Sequence, residues 1–364
     1  MRVLHLPTNV ASQVSVTVRA LRRLGIDARG LVWNNALYGD PRELELHEGV
    51  SLRRRPIRGV AARLRWRREL HRAVDWADVV HWYSGDRILP LGLDLRTIVA
   101  ADKPRVVEFW GTDIRDPERE VARNEYYAQM CRSTGESAGR QGQAIATQRR
   151  FGEAGFDCLL AGPELRHHLR SEWFPAVHET RARVMLSDYE PAYPAVDASE
   201  PLVVHAPSHR SRKGTDAVLQ AVERLKAQGR RFRFELIHGR LRNAALDIVR
   251  RCDVFLDQFV IGAHGLAALE AMTLGKPCVG YILPELRKAY PPELPIVEAD
   301  QVNLADVLDR LLADGSARLE AGRRGRAYVE QYHDALGVGR RLIEIYEGLL
   351  PDHPRCTTCR SGSA

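Results

Sequence analysis

Short apolar runs alternate with stretches of helical periodicity from one end of the chain to the other. In the first half, the runs predict strands at 2–6, 28–33, 78–82, 105–109 and 157–161, with helices at 14–24 and 91–101. Apolar strands that alternate with helices are typical of parallel sheets covered by helices. The pattern therefore predicts an α/β fold.

A stretch with three prolines at residues 189–201 interrupts this alternation and predicts a linker. A second series follows, with strands at 201–205, 232–237, 253–257 and 277–281, helices at 216–227 and 266–274, and helical sequence over 302–350. Thr215 is the expected N-cap of the first of these helices.

A chain of 364 residues is long enough for two domains. We predict an N-terminal Rossmann-like domain over 1–194, a C-terminal Rossmann-like domain over 195–350 and a flexible tail over 351–364. A ligand is expected in the cleft between the two domains.

The composition is that of an ordinary soluble protein, with 45% hydrophobic and 28% charged residues. The net charge of +7 fits an anionic small molecule or an anionic membrane surface, and alone it does not argue for nucleic acid. Because the sequence shows no signal peptide and no apolar run of about 18 residues, we expect a cytoplasmic protein.

The six cysteines are scattered and favour reduced thiols over a disulfide framework. Cys356 and Cys359 have C-x-x-C spacing with His353 nearby, an arrangement that would fit half of a zinc site. A closed zinc site needs four ligands, and no second pair lies at a matching distance, so a disordered tail is the favoured interpretation.

Residues 51–72 form a basic stretch with nine arginines and one acid, Glu69. Ile57, Val60, Leu64 and Trp66 are interleaved with the arginines. One interpretation is an amphipathic arm on anionic lipid, at the inner membrane face, with Trp66 at the interface. Binding to nucleic acid is one alternative, and a solvated surface helix or loop is the other. Of these partners, we expect no nucleic acid.

A basic loop joins the predicted strand at 201–205 to the helix that follows. It carries Arg210, Arg212 and Lys213, with Gly214 at the start of the helix. A helix N-terminus favours an anion, and the side chains add full positive charges, so the loop predicts a phosphate site. It lacks the pattern of a P-loop, and a solvated basic loop is the alternative.

The helix at 266–274 is apolar except for Glu270 and polar residues at its end. Gly265 at its start lets the backbone approach a ligand closely. A carboxylate on an otherwise buried helix needs hydrogen-bond donors, and two vicinal ribose hydroxyls are suitable ones. A core glutamate paired with an arginine or a backbone N–H is the alternative.

The motifs of both halves resemble the large family of retaining GT-B glycosyltransferases, of the family 4 type (glycosyl transferases group 1). In the second half, these are Leu-Glu-Ala-Met at 269–272, Gly-Lys-Pro at 275–277 and Lys-Gly at 213–214. In the first half, Asp-Val-Val-His at 78–81 and Gly-Thr-Asp at 111–113 resemble the first domain of that family. The resemblance implies two Rossmann-like domains facing each other across a cleft.

The resemblance also implies a donor site for a nucleotide-diphosphate sugar, a UDP- or GDP-sugar. Its implied residues are Arg212, Lys213, Gly214, Gly265, Leu266 and Glu270. Arg212 and Lys213 would bind the diphosphate with help from the N–H groups near Gly265 and Leu266, and Glu270 would hold the ribose.

Two departures from the family pattern affect the reacting sugar. The family usually has a glutamate eight positions before the one matching Glu270, and this chain has Gly262. It often has a histidine just before the glycine that matches Gly111, and this chain has Trp110 there. Trp110 and Glu108, two residues earlier, are candidates for the acceptor or membrane side.

Two further residues are candidates for contacts near the reacting carbon. Asp113 is the best polar candidate on the acceptor side, with a turn or N-cap role as the alternative. His264 is a candidate for a sugar contact, with an ordinary surface or core histidine as the alternative.

The expected reaction passes through an oxocarbenium-like state while negative charge builds on the leaving diphosphate, which the basic loop would stabilise. The sequence has no Asp-x-Asp motif and no histidine cluster with metal spacing, so no metal or other cofactor is required.

The acceptor, which is a glycan, a lipid-linked molecule or a small molecule, is not identified by the sequence. A lapsed transferase that only binds a sugar nucleotide and a GT-B epimerase remain as alternatives. A dinucleotide-dependent oxidoreductase is disfavoured, because no glycine follows the first strand within residues 6–12.

Overall fold

The computed structural model describes residues 1–33, 44–47, 55–136 and 140–351. Contacts divide the chain into two compact units, each built from separate segments of the sequence. Unit 1 contains Met1–Arg115, Gly142–Arg183 and the segment from Ala335, and unit 2 contains Asp116–Gln141 and Val184–Asp334.

Unit 1 is built on a parallel sheet of seven strands. The strands are β1 (Arg2–Leu6), β2 (Asp27–Trp33), β3 (Leu44–His47), β4 (Val79–Tyr83), β5 (Arg105–Phe109), β6 (Asp157–Leu160) and β7 (Val177–Glu179). Their order is β3-β2-β1-β4-β5-β6-β7. The order reverses between β1 and β4, as it does in dinucleotide-binding folds.

Helices cover both faces of this sheet. They are α1 (Gln13–Arg23), α2 (Pro56–Trp76), α3 (Leu93–Ala100), α6 (Arg140–Glu153) and α14 (Ala335–Leu349). Two further helices, α4 (Pro117–Val121) and α5 (Glu125–Thr134), belong to unit 2. Successive strand residues point to opposite faces, so Leu4 packs with α2 and α6 while Val3 packs with α1 and α14. Burial on both faces explains the nearly continuous apolar strands.

Unit 2 contains a parallel sheet of five strands. They are β8 (Leu202–His205), β9 (Arg233–Leu236), β10 (Val254–Leu256), β11 (Cys278–Gly280) and β12 (Val297–Glu298), in the order β12-β11-β10-β8-β9. The order reverses between β8 and β10. In such sheets, ligands bind beyond the carboxyl ends of the strands at this reversal.

The remaining helices belong to unit 2. They are α7 (Arg210–Lys213), α8 (Thr215–Ala227), α9 (Arg242–Arg251), α10 (Leu266–Thr273), α11 (Pro284–Arg287), α12 (Leu304–Ala313) and α13 (Gly315–Tyr332). The core on one face joins α8 and α12 to the sheet. On α10, Met272 packs closely against α13, where Gly325 leaves room for it.

The compact units differ from the predicted linear division at residue 195. The segment over 116–141 joins unit 2 although it lies between β5 and β6, and α14 joins unit 1 although it ends the second half. Leu342, Ile345 and Tyr346 of α14 lie in the same buried cluster as α1. Compact units defined by contacts are not the same as folding domains, so the predicted domain boundaries stay a prediction.

The basic stretch contains a helix, and the predicted position of Trp66 at a lipid interface is wrong. Trp66 on α2 is fully buried, with its ring 5.5 Å from that of Trp33 in an edge-on arrangement. Leu70 and Val74 continue the buried face, so α2 packs on the sheet through its apolar side. Residues 51–54 lie outside the described residues.

The predicted fold class is confirmed: two parallel sheets, each covered by helices, make an α/β chain of two Rossmann-like units. The tail over 352–364, including Cys356 and Cys359, lies outside the described residues.

Candidate donor site in the second unit

The reversal point of the second sheet is held together by a buried histidine. His205 ends β8, and its Nδ1 lies 2.9 Å from the carbonyl oxygen of Leu256 on β10. Its Nε2 lies 3.0 Å from the hydroxyl of Thr215. Burial lowers the pKa of His205 to about 4, so the ring is neutral near pH 7 and joins the two strand ends to α8.

The basic loop after β8 forms a single helical turn, α7, and not an open loop. Gly214, at φ +70°, ends α7 and is also the N-cap of α8. The prediction that Thr215 caps this helix is wrong, because Thr215 is its first residue and its hydroxyl faces His205. Arg212 and Lys213 therefore lie on a rigid turn directly before α8.

Lys213 is paired with an aspartate that the sequence analysis did not select. Its Nζ lies 3.2 Å from Oδ1 of Asp257, whose Oδ2 accepts a hydrogen bond of 2.6 Å from the backbone N–H of Gly265. A Cβ on Gly265 would lie 2.7 Å from Lys213 Nζ. Asp257 thus accepts the hydrogen bond from the Gly265 N–H, the group that we expected to help bind the diphosphate.

Arg212 is paired with Glu136. Glu136 comes from the first half of the sequence, in the segment that belongs to unit 2. Its Nε donates to Oε2 of Glu136 at 2.7 Å, and the hydroxyl of Ser211 lies 3.3 Å from Oε1. The side chains of Arg212 and Glu136 are 16% and 26% exposed. Neither diphosphate candidate is therefore an unpaired cation in the described structure.

Gly262 excludes the glutamate that the family usually carries at this position. Its φ is +76°, a conformation that side chains rarely adopt, and a Cβ would lie 2.4 Å from the side chain of Leu283. The space for an acidic side chain is thus filled by Leu283.

Glu270 lies on α10 and is paired with Arg242, as the alternative interpretation of this residue expected. Arg242 donates to Oε1 of Glu270 through Nη2 at 2.5 Å and Nε at 3.1 Å, and the hydroxyl of Tyr189 donates to the same oxygen at 3.2 Å. The Arg242 and Glu270 side chains are 30% and 24% exposed. The group is therefore a partly exposed ion pair, and the hydrogen bonds from Arg242 and Tyr189 reach Oε1.

His264 lies on the loop before α10. Its ring centroid is 4.9 Å from that of Tyr290 and 5.9 Å from that of His333. Because His264 directly precedes Gly265, its imidazole lies at the same end of the sheet as Lys213. Its predicted sugar contact stays a prediction.

In unit 1, Asp113 has the turn role that was its alternative interpretation. Its carboxylate accepts hydrogen bonds from the backbone N–H groups of Gly111 at 2.8 Å, Ile114 at 3.1 Å and Trp110 at 3.1 Å. Burial raises the pKa of Asp113, against the lowering effect of these N–H groups. A catalytic role stays a prediction.

Glu108 lies inside unit 1 and not on an exposed surface. Both of its oxygens accept from Arg183, at 2.9 and 2.6 Å, and His81 Nε2 lies 3.4 Å away, with all three side chains fully buried. Burial would raise the pKa of Glu108, but Arg183 and His81 outweigh it and hold the pKa below its ordinary value. The carboxylate has no exposed oxygen for an acceptor, and Arg183 also lies over the Trp110 ring at 5.3 Å.

A polar group that the sequence analysis missed lies where the first sheet reverses. The Asp86 carboxylate accepts from the hydroxyls of Thr8, after β1, at 2.9 Å and of Ser84, after β4, at 3.0 Å. Ser84 has φ +65°, an uncommon conformation for a residue with a side chain. Because these residues follow β1 and β4, a polar ligand of unit 1 would meet them first.

Within the described ranges, no group of three or more His, Cys, Asp or Glu side chains has the arrangement of a metal site. Among the same residues, no helix has both the length and the apolar character needed to cross a membrane.

The fold is similar to that of solved glycosyltransferases over almost the whole chain. Sucrose-phosphate synthase from Thermosynechococcus elongatus is 14% identical, with a TM-score of 0.65, and the match covers 96% of this chain and 99% of that one. HepE from Anabaena, solved with UDP-glucose, is 12% identical, with a TM-score of 0.61, over 95% and 99%. WaaG, a glycosyltransferase of lipopolysaccharide biosynthesis, is 14% identical, with a TM-score of 0.56, over 96% and 100%.

No protein-family model and no curated protein matches the sequence. At identities of 12–14%, the structural likeness establishes the fold alone, and that fold is GT-B.

Proposed function

We propose that this chain is a glycosyltransferase that transfers a sugar from a UDP- or GDP-sugar to an acceptor. The observation that carries the proposal is the position of Lys213 and Arg212, on a rigid turn at the reversal point of the second sheet. Ligands of such sheets bind at this point, and cations before a helix suit a diphosphate. HepE, a protein of the same fold, was solved with UDP-glucose.

Each donor residue except Gly265, whose N–H binds Asp257, has a proposed contact. Lys213 and Arg212 bind the diphosphate, and Gly214 and Leu266 keep the backbone close to it. Glu270 accepts from the ribose hydroxyls through Oε2, since its hydrogen bonds from Arg242 and Tyr189 reach Oε1. Arg242 thereby orients the carboxylate for the nucleoside.

In the proposed reaction, a hydroxyl oxygen of the acceptor bonds to the anomeric carbon on the face from which the diphosphate departs, while the bond from that carbon to the diphosphate breaks. The proton of the acceptor hydroxyl passes to the leaving diphosphate. Charge builds on the leaving diphosphate, and Lys213 and Arg212 stabilise it. We propose retention of configuration from the family resemblance, and no required metal because Lys213 and Arg212 stabilise the leaving charge themselves. His264 contacts the donor sugar, because it neighbours Gly265 at the same end of the sheet.

A protein that binds a sugar nucleotide without transferring the sugar is the second candidate. Gly262 favours it specifically, because the acidic contact to the sugar cannot be made from this position. A GT-B epimerase has no such observation in its favour.

We also propose that α2 holds the protein on an anionic membrane that carries the acceptor. Ile57, Val60 and Leu64 are 86%, 51% and 60% exposed and recur at helical spacing. Arg65 and Arg68 are exposed beside them. This combination of an apolar stripe and flanking cations is typical of helices that lie in a membrane interface.

A thermal-shift screen against nucleotides and nucleotide sugars tests the donor site. A ligand at a hundred times its dissociation constant should add about 2.7 kcal/mol to the free energy of unfolding. Lys213→Ala should weaken the best ligand by about tenfold or more, because a charge-assisted hydrogen bond contributes about 1.5–3 kcal/mol.

The matched control is Arg210→Ala. Arg210 is on the same turn, but its side chain is 52% exposed and lies 3.8 Å from Asp216. Its loss should change affinity much less. If neither UDP, GDP nor their sugars shift the transition, the proposed function is wrong.

A further inference from the structure

The Glu136 carboxylate lies where an anionic ligand of Arg212 would lie. Besides the bond of 2.7 Å to Arg212 Nε, Glu136 faces Arg140 at 3.8 Å and the Ser211 hydroxyl at 3.3 Å. Burial acts to raise the pKa of Glu136, but Arg212 and Arg140 outweigh it and hold the pKa below its ordinary value. The group is therefore an anion at neutral pH, surrounded by donors that would equally suit a phosphate.

The segment that presents Glu136 is fixed to the donor side of unit 2. Asn124 caps α5 by accepting from Tyr127 N, and its side-chain amide donates to the carbonyl of Val260 at 2.7 Å. Tyr127, Met130 and Cys131 of α5 pack with Val260 in one buried cluster. Val260 belongs to the loop that follows β10, so α5 holds Glu136 beside α7.

The two carboxylates at the basic turn differ in how easily they can leave. The Asp257 side chain is 2% exposed and is also held by the N–H of Gly265, so it is a fixed partner of Lys213. The Glu136 side chain is 26% exposed and lies beyond the end of α5. A ligand can therefore replace Glu136 while Asp257 keeps Lys213 in position.

We infer that Glu136 is an internal competitor of the donor diphosphate for Arg212, and that donor binding displaces it. This inference rests on the proposed function. Carboxylate and phosphate are alternative partners of a guanidinium, which binds either in the same planar geometry. Glu136 therefore lowers the affinity for ligands that use Arg212 and leaves other ligands unaffected.

Glu136→Gln tests the inference, because it removes the competing charge and keeps the side-chain shape. By calorimetry on the full chain, UDP and inorganic pyrophosphate should bind about two- to fivefold more tightly, as expected for the loss of a partly exposed ion pair. Uridine, which has no phosphate, should bind as it does to the wild type.

The matched control is Glu125→Gln. Glu125 is the first residue of α5, the helix that precedes Glu136, and it pairs with Arg132 at 2.6 Å, with both side chains mostly exposed. It makes the same change in net charge without touching Arg212. UDP affinity should rise in Glu136→Gln and stay unchanged in Glu125→Gln.

A double variant separates competition from a general effect of charge. In an Arg212→Gln background, Glu136→Gln should no longer tighten UDP binding, because the contested cation is absent. The inference is overturned if Glu136→Gln binds UDP with the same affinity as the wild type or more weakly. It is also overturned if the gain in UDP affinity persists in the Arg212→Gln background. Each of these results would leave the donor site in place. If the wild type binds neither UDP, GDP nor pyrophosphate, the proposed function and the inference both fail.

Discussion

Lys213, Arg212 and Arg242 of the proposed donor site each have a carboxylate partner. The pairs are Lys213 with Asp257, Arg212 with Glu136 and Arg242 with Glu270. A nucleoside diphosphate must therefore replace or share existing partners. Affinity at such a site depends on the difference between two sets of contacts, which single substitutions can measure.

Glu270→Gln separates the ribose role from a role in the fold. Because the Arg242–Glu270 pair is partly exposed, its loss should cost only about 0.2–1 kcal/mol of unfolding free energy. A glutamine also presents an amide donor where ribose hydroxyls need an acceptor. We expect about a tenfold loss of UDP affinity by calorimetry and a small drop in melting temperature without ligand.

Glu298→Gln is the control for this pair. Glu298 accepts from Arg287 Nε at 3.0 Å, and those side chains are 46% and 30% exposed. It should lose similar stability and keep wild-type UDP affinity. If Glu270→Gln unfolds much earlier and its folded fraction binds UDP normally, Glu270 serves the fold and not the ribose.

At this scale, local motifs predicted some site residues and not others. Lys213 and Glu270 lie in recognisable segments, whereas Glu136 and Arg242 meet their partners across 76 and 28 residues. No periodicity signals such a pairing. Asp257 had a usable signal, since a polar residue directly after a buried parallel strand lies at the ligand-binding edge.

Elements with strong apolar patterns were predicted well. The strands β1, β4, β5 and β10 fall within one or two residues of their predicted ends, because a strand buried on both faces needs a continuous apolar run. The helices α5 and α9 were not predicted. Both are short, with ten residues each, and α5 packs on Val260, which lies far away in the sequence.

The apolar and basic residues of α2 form a pattern that supports two interpretations. Trp66 faces the sheet, so α2 is not a free arm, but its first turns still expose Ile57, Val60 and Leu64. Sequence alone could not assign the two apolar sides of α2, because the partner strands come from other parts of the chain.

Binding to vesicles tests the membrane role of α2. The wild type should bind vesicles that contain anionic phosphatidylglycerol and leave neutral vesicles, and salt should release it. Replacing Arg65, Arg67 and Arg68 with Gln should weaken binding, since each arginine near an anionic surface contributes about 1 kcal/mol. Co-sedimentation at several salt concentrations measures both effects.

A control with the same charge change replaces Arg231, Arg233 and Arg251, which are exposed in unit 2. That variant should bind like the wild type. Equal losses in both variants, or equal wild-type binding to neutral and anionic vesicles, would rule out α2 as a specific membrane contact.

At the scale of the whole molecule, the two units exchange segments. Helix α14 completes a buried face of unit 1, and the segment over 116–141 adds α5 to unit 2. A reading along the sequence assigns neighbours in the chain to one domain, so it could predict two Rossmann-like units but not this exchange. The net charge of +7 did not identify the site either, because cations such as Arg212 are paired internally.

The most direct test of the account is the release of nucleoside diphosphate from a bound nucleotide sugar without acceptor. We expect the full chain to hydrolyse the nucleotide sugar selected by the thermal-shift screen slowly, with water as the acceptor. Lys213→Ala should lose this activity, because the leaving diphosphate loses its cation. Binding of the nucleotide sugar with no release above the buffer rate, or release that Lys213→Ala leaves unchanged, would contradict a glycosyltransferase.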